Sequence, residues 1–303
     1  MSRLLKLVFS RASRLTLENT KYLLLLWFTN FALAFALTYP IFSLLRIDLT
    51  RSLLNSHFTG EFDFMWFIQF YSLNQRSIEG LPGLLLTVTV IYNLIQLFYS
   101  GGFISVLLNP GKNHWVDFFY GGVKYFYRFF KIFLLAISLY IIALGLNVLL
   151  HSGVLYLSSR YGSPILILTF NITRNALFLF FICSVNLIVD YTKIATCATD
   201  ETKVRVSFRT ALRFINQNFR FALIIYLICG SMVLLAASTY NALDSFIPRS
   251  NTALIIVTFF FQQLLVIFRL LIKILFFSTE VVLYSESNAD IISTDAEELV
   301  SGA

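Results

Sequence analysis

Charge is the scarcest resource in this chain. Only 13% of its 303 residues are Asp, Glu, Lys or Arg, about half the share that ordinary soluble domains carry. Such a chain cannot cover a water-facing surface of that size. Histidine is also rare, at three residues, and His57, His114 and His151 stand far apart. No HExxH, GxSxG or GxxxxGK[ST] pattern occurs, so no local signature of metal, acyl-transfer or phosphate chemistry is present. The chain is expected to be non-enzymatic and to need no cofactor. The three cysteines, Cys183, Cys197 and Cys229, are odd in number, and none forms a CxxC. That excludes a disulfide framework and leaves them as small apolar residues.

What is abundant is apolar. Hydrophobic residues make up 58% of the chain, Phe alone contributes 33, and the mean hydropathy is +0.77. Six stretches approach or exceed the roughly 20 residues needed to cross a hydrocarbon core: 22–45, 82–108, 132–150, about 175–192, 221–239 and 252–278. The expected fold is all-α, a polytopic transmembrane protein with six spans. The first run has a basic leader, and Ala34-Phe35-Ala36 fits a cleavage pattern. The run nevertheless continues to Leu45, too far for a signal peptide, so a retained first helix is expected.

The net charge of +7 has an address. Fifteen of the 23 basic residues fall in segments 1–21, 109–131 and 193–220. These alternate along the chain, so the positive-inside rule puts them, and both termini, in the cytoplasm. Their neighbours are apolar runs, which points to anionic lipid headgroups as partners and away from nucleic acid. The segment after Ser278 reads as an acidic cytoplasmic tail, 279–303.

The basic segments resemble one another. Shifting by 89 residues places Phe119, Val123, Lys124, Phe126, Phe130 and Lys131 on Phe208, Leu212, Arg213, Ile215, Phe219 and Arg220. Shifting the earlier copy by 110 places Phe9, Arg14 and Lys21 on Phe119, Lys124 and Lys131, with Ser13, Thr16 and Thr20 at other apolar positions. The i, i+4, i+7, i+11 spacing is one face of a helix. The chain therefore reads as one membrane domain of three repeats, about 1–108, 109–198 and 199–278. Each repeat is an interfacial amphipathic helix followed by a transmembrane hairpin. Lys124, Lys131, Arg213 and Arg220 are the candidate headgroup contacts. The long loop 46–81 carries an aromatic interfacial stretch, Phe58 to Tyr71, which could bind a partner protein.

Polar residues inside spans are the other candidates. Arg269 and Lys273 share a face of the sixth span. They snorkel to the edge, pair with an acid such as Asp190, or bind an anionic substrate; Asp190 alternatively faces Lys193. Gln262 and Gln263 lie near the middle of the same span, and Asn93 and Gln96 lie similarly in the second. Asn30, Asn147 and Asn186 put one amide into each of three others. Such amides join packed helices or line a polar path. Pro40 and Gly101-Gly102 interrupt two spans, but no matching break recurs in the third repeat, which disfavours a transporter. The sequon Asn171-Ile172-Thr173 lies close to a span, where glycosylation is not expected, and Arg174 anchors the end of the fourth helix.

Two functional expectations follow. The first is a membrane protein that organises lipid or a membrane-protein partner. The second is a transporter or channel with a polar path at the middle of spans two and six. The run Val189-Asp190-Tyr191-Thr192-Lys193-Ile194, then Val206 to Arg220, then an apolar span, resembles uncharacterised bacterial six-helix membrane families. It is also similar to the membrane domain attached to some glycerophosphodiester phosphodiesterases. The resemblance implies a bacterial cytoplasmic membrane; with no phosphodiesterase domain in the chain, it implies no catalytic residue.

Overall fold

A computed structural model describes residues 2–51, 64–109, 111, 114–161, 163–246 and 252–301, and within them every regular element is a helix. The order is α1 (Ser2–Glu18), α2 (Lys21–Arg51), α3 (Phe64–Leu73), α4 (Gln75–Glu79), α5 (Leu81–Leu108), α6 (Trp115–Tyr161), α7 (Pro164–Thr199), α8 (Val204–Phe246) and α9 (Thr252–Ser301). Residues 52–63 of the long loop, including His57 and the Phe58–Asp63 part of its aromatic stretch, lie outside the described residues.

Among the described residues, six helices are long and apolar enough to cross a membrane: Lys21–Arg46, Gln75–Leu108, Trp115–Tyr156, Pro164–Thr199, Val204–Leu243 and Leu254–Ser287. The chain is a multi-pass helical membrane protein. Exposed side chains agree with this, since α6 alone leaves Ile141, Ile142, Val148 and Leu149 uncovered. In water such a stripe would be an aggregation hazard; against lipid it is the expected outer surface.

The amphipathic segments are not separate helices throughout. α1 ends at Glu18, and α2 starts after a turn at Asn19-Thr20. In α6 the basic segment and the span form one unbroken helix, because nothing in Arg128–Ile132 interrupts the hydrogen-bond ladder. α8 is intermediate: it bends at Asn218, whose backbone leaves helical geometry (φ −115°, ψ 20°). The expected apolar face is only part of the apolar surface. Phe119 and Val123 are exposed, whereas Phe118, Gly122, Tyr125, Phe129 and Ile132 are buried. The start of α6 thus carries two adjacent apolar stripes, one packed on protein and one facing outward.

The chain divides into two compact units. One comprises Met1–Leu15, Leu97–Cys229 and Leu275–Ala303; the other comprises Thr16–Gln96 and Gly230–Ile274. In the first, α6 and α7 pack as an antiparallel hairpin closed at one end by Lys124 and Arg128 on Asp200. The hairpin's other end is joined by Arg174 and His151. The end of α5 crosses α6 where glycines face each other. A Cβ on Gly101 would sit 3.1 Å from the Gly121 carbonyl oxygen, and one on Gly102 only 2.6 Å from that of Phe118. Small residues let backbones approach in this way. α9 does not stop at Ser278: Thr279 through Tyr284 continue the helix and are buried.

In the second unit, α2 runs through Pro40 without ending. Asn30, Leu37, Leu85, Thr89 and Tyr92 help line an open cleft of about 210 Å³ on α2 and α5.

Candidate functional site

The residues expected at the middle of spans two and six all lie in the second unit, and they pair rather than converge. Lys273 Nζ donates to Gln96 Oε1. Trp27 Nε1 donates to Gln263 Oε1 at 3.0 Å. Asn93 turns back on its own helix, donating to the Thr89 carbonyl at 2.8 Å. Gln262 and Arg269 are exposed on α9. The Lys273–Gln96 and Trp27–Gln263 contacts are helix-to-helix joints of the kind amides supply within a membrane.

In the first unit Asp190 takes the nearer of its two expected partners. Lys193, one turn along α7, donates to its Oδ1 at 2.8 Å, and both side chains are largely covered. One turn the other way, Asn186 joins two tyrosines. Tyr140 of α6 donates to its Oδ1, and its Nδ2 donates to the Tyr226 hydroxyl of α8 at 2.8 Å. Asn186, Asp190 and Lys193 therefore form a polar stripe along α7, because positions i, i+4 and i+7 share a face.

Next to this stripe stands a residue that the sequence did not single out. Glu280 of α9 is 1% exposed, and neither carboxylate oxygen has a hydrogen-bond partner. Asp190 and Lys193 are within electrostatic reach of it. The Tyr191 hydroxyl, also buried, lacks a hydrogen-bond partner too. The available signal was the Ser278-Thr279-Glu280 triplet at the end of the last apolar run. It reads as an exit from the membrane only if the helix emerges there, and instead the next turns are buried.

The basic residues divide between pairing and exposure. Asp200 ends α7 in a left-handed conformation (φ 50°). Its carboxylate accepts from Lys124 at 2.8 Å and Arg128 at 2.7 Å. These two hydrogen-bonding cations hold the Asp200 carboxyl below its usual value of 3.8. Lys131 lies 4.4 Å over the Tyr127 ring. Arg209, Arg213 and Arg220 are exposed along α8. Beside these cations stand outward-facing aromatic and aliphatic side chains, with Tyr120 and Tyr127 each 66% and Val123 70% exposed.

Among the described residues no three His, Cys, Asp or Glu side chains gather as metal ligands, and all three thiols are unbridged. Asn171 lies inside α7, its side chain donating to the Ile167 carbonyl at 3.0 Å, a helical position within a candidate span. Comparison of the chain with protein families, curated proteins and solved structures finds no match.

Proposed function

We propose that the chain is a non-catalytic protein of a bacterial cytoplasmic membrane that binds anionic lipid at its cytoplasmic face and organises lipid or a membrane-protein partner there. The observation that carries this reading is the outward face at the start of α6 and α8. Exposed Tyr120, Val123 and Tyr127 stand with Lys131 on α6, and exposed Val206 and Leu212 stand with Arg209, Arg213 and Arg220 on α8. Aromatic and aliphatic groups beside cations fit the headgroup layer, where each part meets the environment it prefers. Lys124 is set apart from this role by its bond to Asp200.

The threefold repeat belongs to the same proposal. At the offsets of 110 and 89 residues, buried positions coincide: Val8, Phe118 and Ser207; Ala12, Gly122 and Ala211; Leu26, Ala136 and Ile225. The turn at Asn19 and the bend at Asn218 fall in register as well. The likeness to bacterial six-helix families is part of this reading. The transporter alternative draws less support, because Lys273 and Gln96 are bonded to each other, Gln263 to Trp27 and Asn93 to its own helix, while Gln262 and Arg269 are exposed.

The test is lipid retention. Arg209→Gln, Arg213→Gln and Arg220→Gln together should weaken binding of phosphatidylglycerol, measured by native mass spectrometry of the purified protein. The expected loss is about 1 kcal/mol per residue at low salt, shrinking as salt rises. Unchanged retention in the triple variant would remove the headgroup reading.

A further inference from the structure

Four side chains follow one another along a face of α9: Phe276, Glu280, Tyr284 and Ser287. Phe276 meets Tyr226 of α8 with ring centroids 5.4 Å apart, and Tyr284 meets Phe214 of α8 at 4.9 Å. Ser287 donates to Asn218 Oδ1 at 3.4 Å. That face of α9 therefore lies against α8, with Glu280 between two aromatic contacts. α7 closes the third side. Tyr191 packs on Phe214 at 4.9 Å, and Asn186 is bonded to Tyr226. Between Phe214 and Tyr226, α8 carries the buried Ala222, whose methyl has neither a donor nor a charge.

The charge balance in this enclosure is incomplete. Asp190 and Lys193 neutralise each other at 2.8 Å. If ionised, Glu280 would add a negative charge with no cation left to balance it among the described residues, and its two oxygens accept nothing. An unpaired buried carboxylate is among the most expensive groups a protein can hold. The titratable groups facing it are Asp190 and Lys193, Tyr191, Tyr226 and Cys229; the only cation among them is already engaged. The deficit is one positive charge. A divalent ion would call for further carboxylates, and the second one here belongs to Lys193. Neutral oxygens stand close by: the Thr279 hydroxyl, which donates down its own helix to the Phe276 carbonyl at 2.7 Å and has the Cys229 thiol as a second hydrogen-bonding neighbour, and the Tyr191 hydroxyl, which has no hydrogen-bond partner.

We propose that Glu280 is a buried binding site for one small monovalent cation, a proton or an alkali-metal ion, enclosed by α7, α8 and α9. The polar stripe of Lys193, Asp190 and Asn186 along α7 is the hydrophilic approach to it. This site is independent of the headgroup contacts on the outer faces of α6 and α8.

Infrared difference spectroscopy on the full-length protein in lipid bilayers tests the proposal by following the carboxylic-acid carbonyl band. N-methylglucamine is exchanged for sodium, potassium or lithium at fixed pH, and pH is then stepped from mildly acidic to mildly alkaline without alkali ions. Loss of an acid band on adding one alkali ion, absent from Glu280→Gln, identifies that ion as the ligand. A band that disappears with rising pH and ignores alkali ions, again lost in Glu280→Gln, identifies the proton. A wild-type spectrum unchanged by either exchange overturns the site and makes Glu280 a fixed structural acid. Glu280→Asp covers a failure of the glutamine variant to fold: it keeps a carboxyl and should shift the band and its midpoint. Responses identical to wild type in that variant would assign the band elsewhere and also overturn the proposal.

Discussion

Asp200 shows how much one side chain can do at a helix end. It accepts two cations from the neighbouring helix and adopts the left-handed backbone that ends α7. Asparagine tolerates the same backbone, so Asp200→Asn isolates the charge. The carboxylate is 53% exposed, and exposed pairs are weak and screened. A loss of about 0.5–1 kcal/mol is expected, read as a lower thermal midpoint in detergent at neutral pH. Because the folded carboxyl is held below 3.8, its contribution is complete above the ordinary carboxylate range. It fades as pH falls through the lowered folded value. The gap between wild type and variant should therefore close in acid. A gap that persists there would mean that the pairs with Lys124 and Arg128 are not its source. The pairing was not legible in the sequence, since 72 and 76 positions separate the partners and only the α6–α7 hairpin brings them together.

At the level of elements, the decisive contact is the crossing of α5 and α6, where the two glycine pairs meet. Gly102→Ala would drive a methyl to 2.6 Å from the Phe118 carbonyl oxygen and 2.8 Å from its ring. The backbone cannot swing aside, so overpacking of about 1–3 kcal/mol is expected. Gly230 is the control: nothing lies within 4 Å of its would-be Cβ, and alanine there should be neutral or stabilise α8 by up to about 1 kcal/mol. Thermal unfolding of both variants in one detergent checks the pair, and equal midpoints would refute the close crossing. The six apolar helices were legible because spans announce themselves by length and hydropathy. Gly101-Gly102 was visible too, but as a break; its packing role needed Gly121-Gly122, which sequence spacing does not connect to it. That α9 runs on as a buried helix past Ser278 was hidden for a related reason. Polarity marks a membrane exit only when a helix has no neighbours, and Thr279 and Glu280 are enclosed by α7 and α8. The candidate site was hidden in the same stroke: Asp190 and Asn186 stood out as polar residues inside a span, whereas Glu280 looked like the first acid of a solvated tail.

For the whole molecule, helix length and charge place related limits on how the chain sits in a membrane. α6 has 47 residues and α9 has 50, so each is about 70–75 Å long at 1.5 Å per residue. A hydrocarbon core of about 30 Å leaves more than half of such a helix outside it unless the helix tilts steeply. The basic residues set the expectation for which ends protrude on which side. The fifteen that precede or begin spans one, three and five lie on alternate connections, and Lys and Arg near span ends set orientation whereas acids contribute little. The six acids after Ser278 therefore do not oppose a cytoplasmic C-terminus. Reporter fusions after Trp115, Leu155, Lys203 and Ser245 should read cytoplasmic, external, cytoplasmic and external. A cytoplasmic signal at Leu155 or Ser245 would invert the molecule. That inversion would move the α6 and α8 cations away from the anionic inner leaflet, so the headgroup proposal would fall with it. The Glu280 site would survive, because its missing positive charge is set by packing inside the fold, with only the side from which its ion enters exchanged.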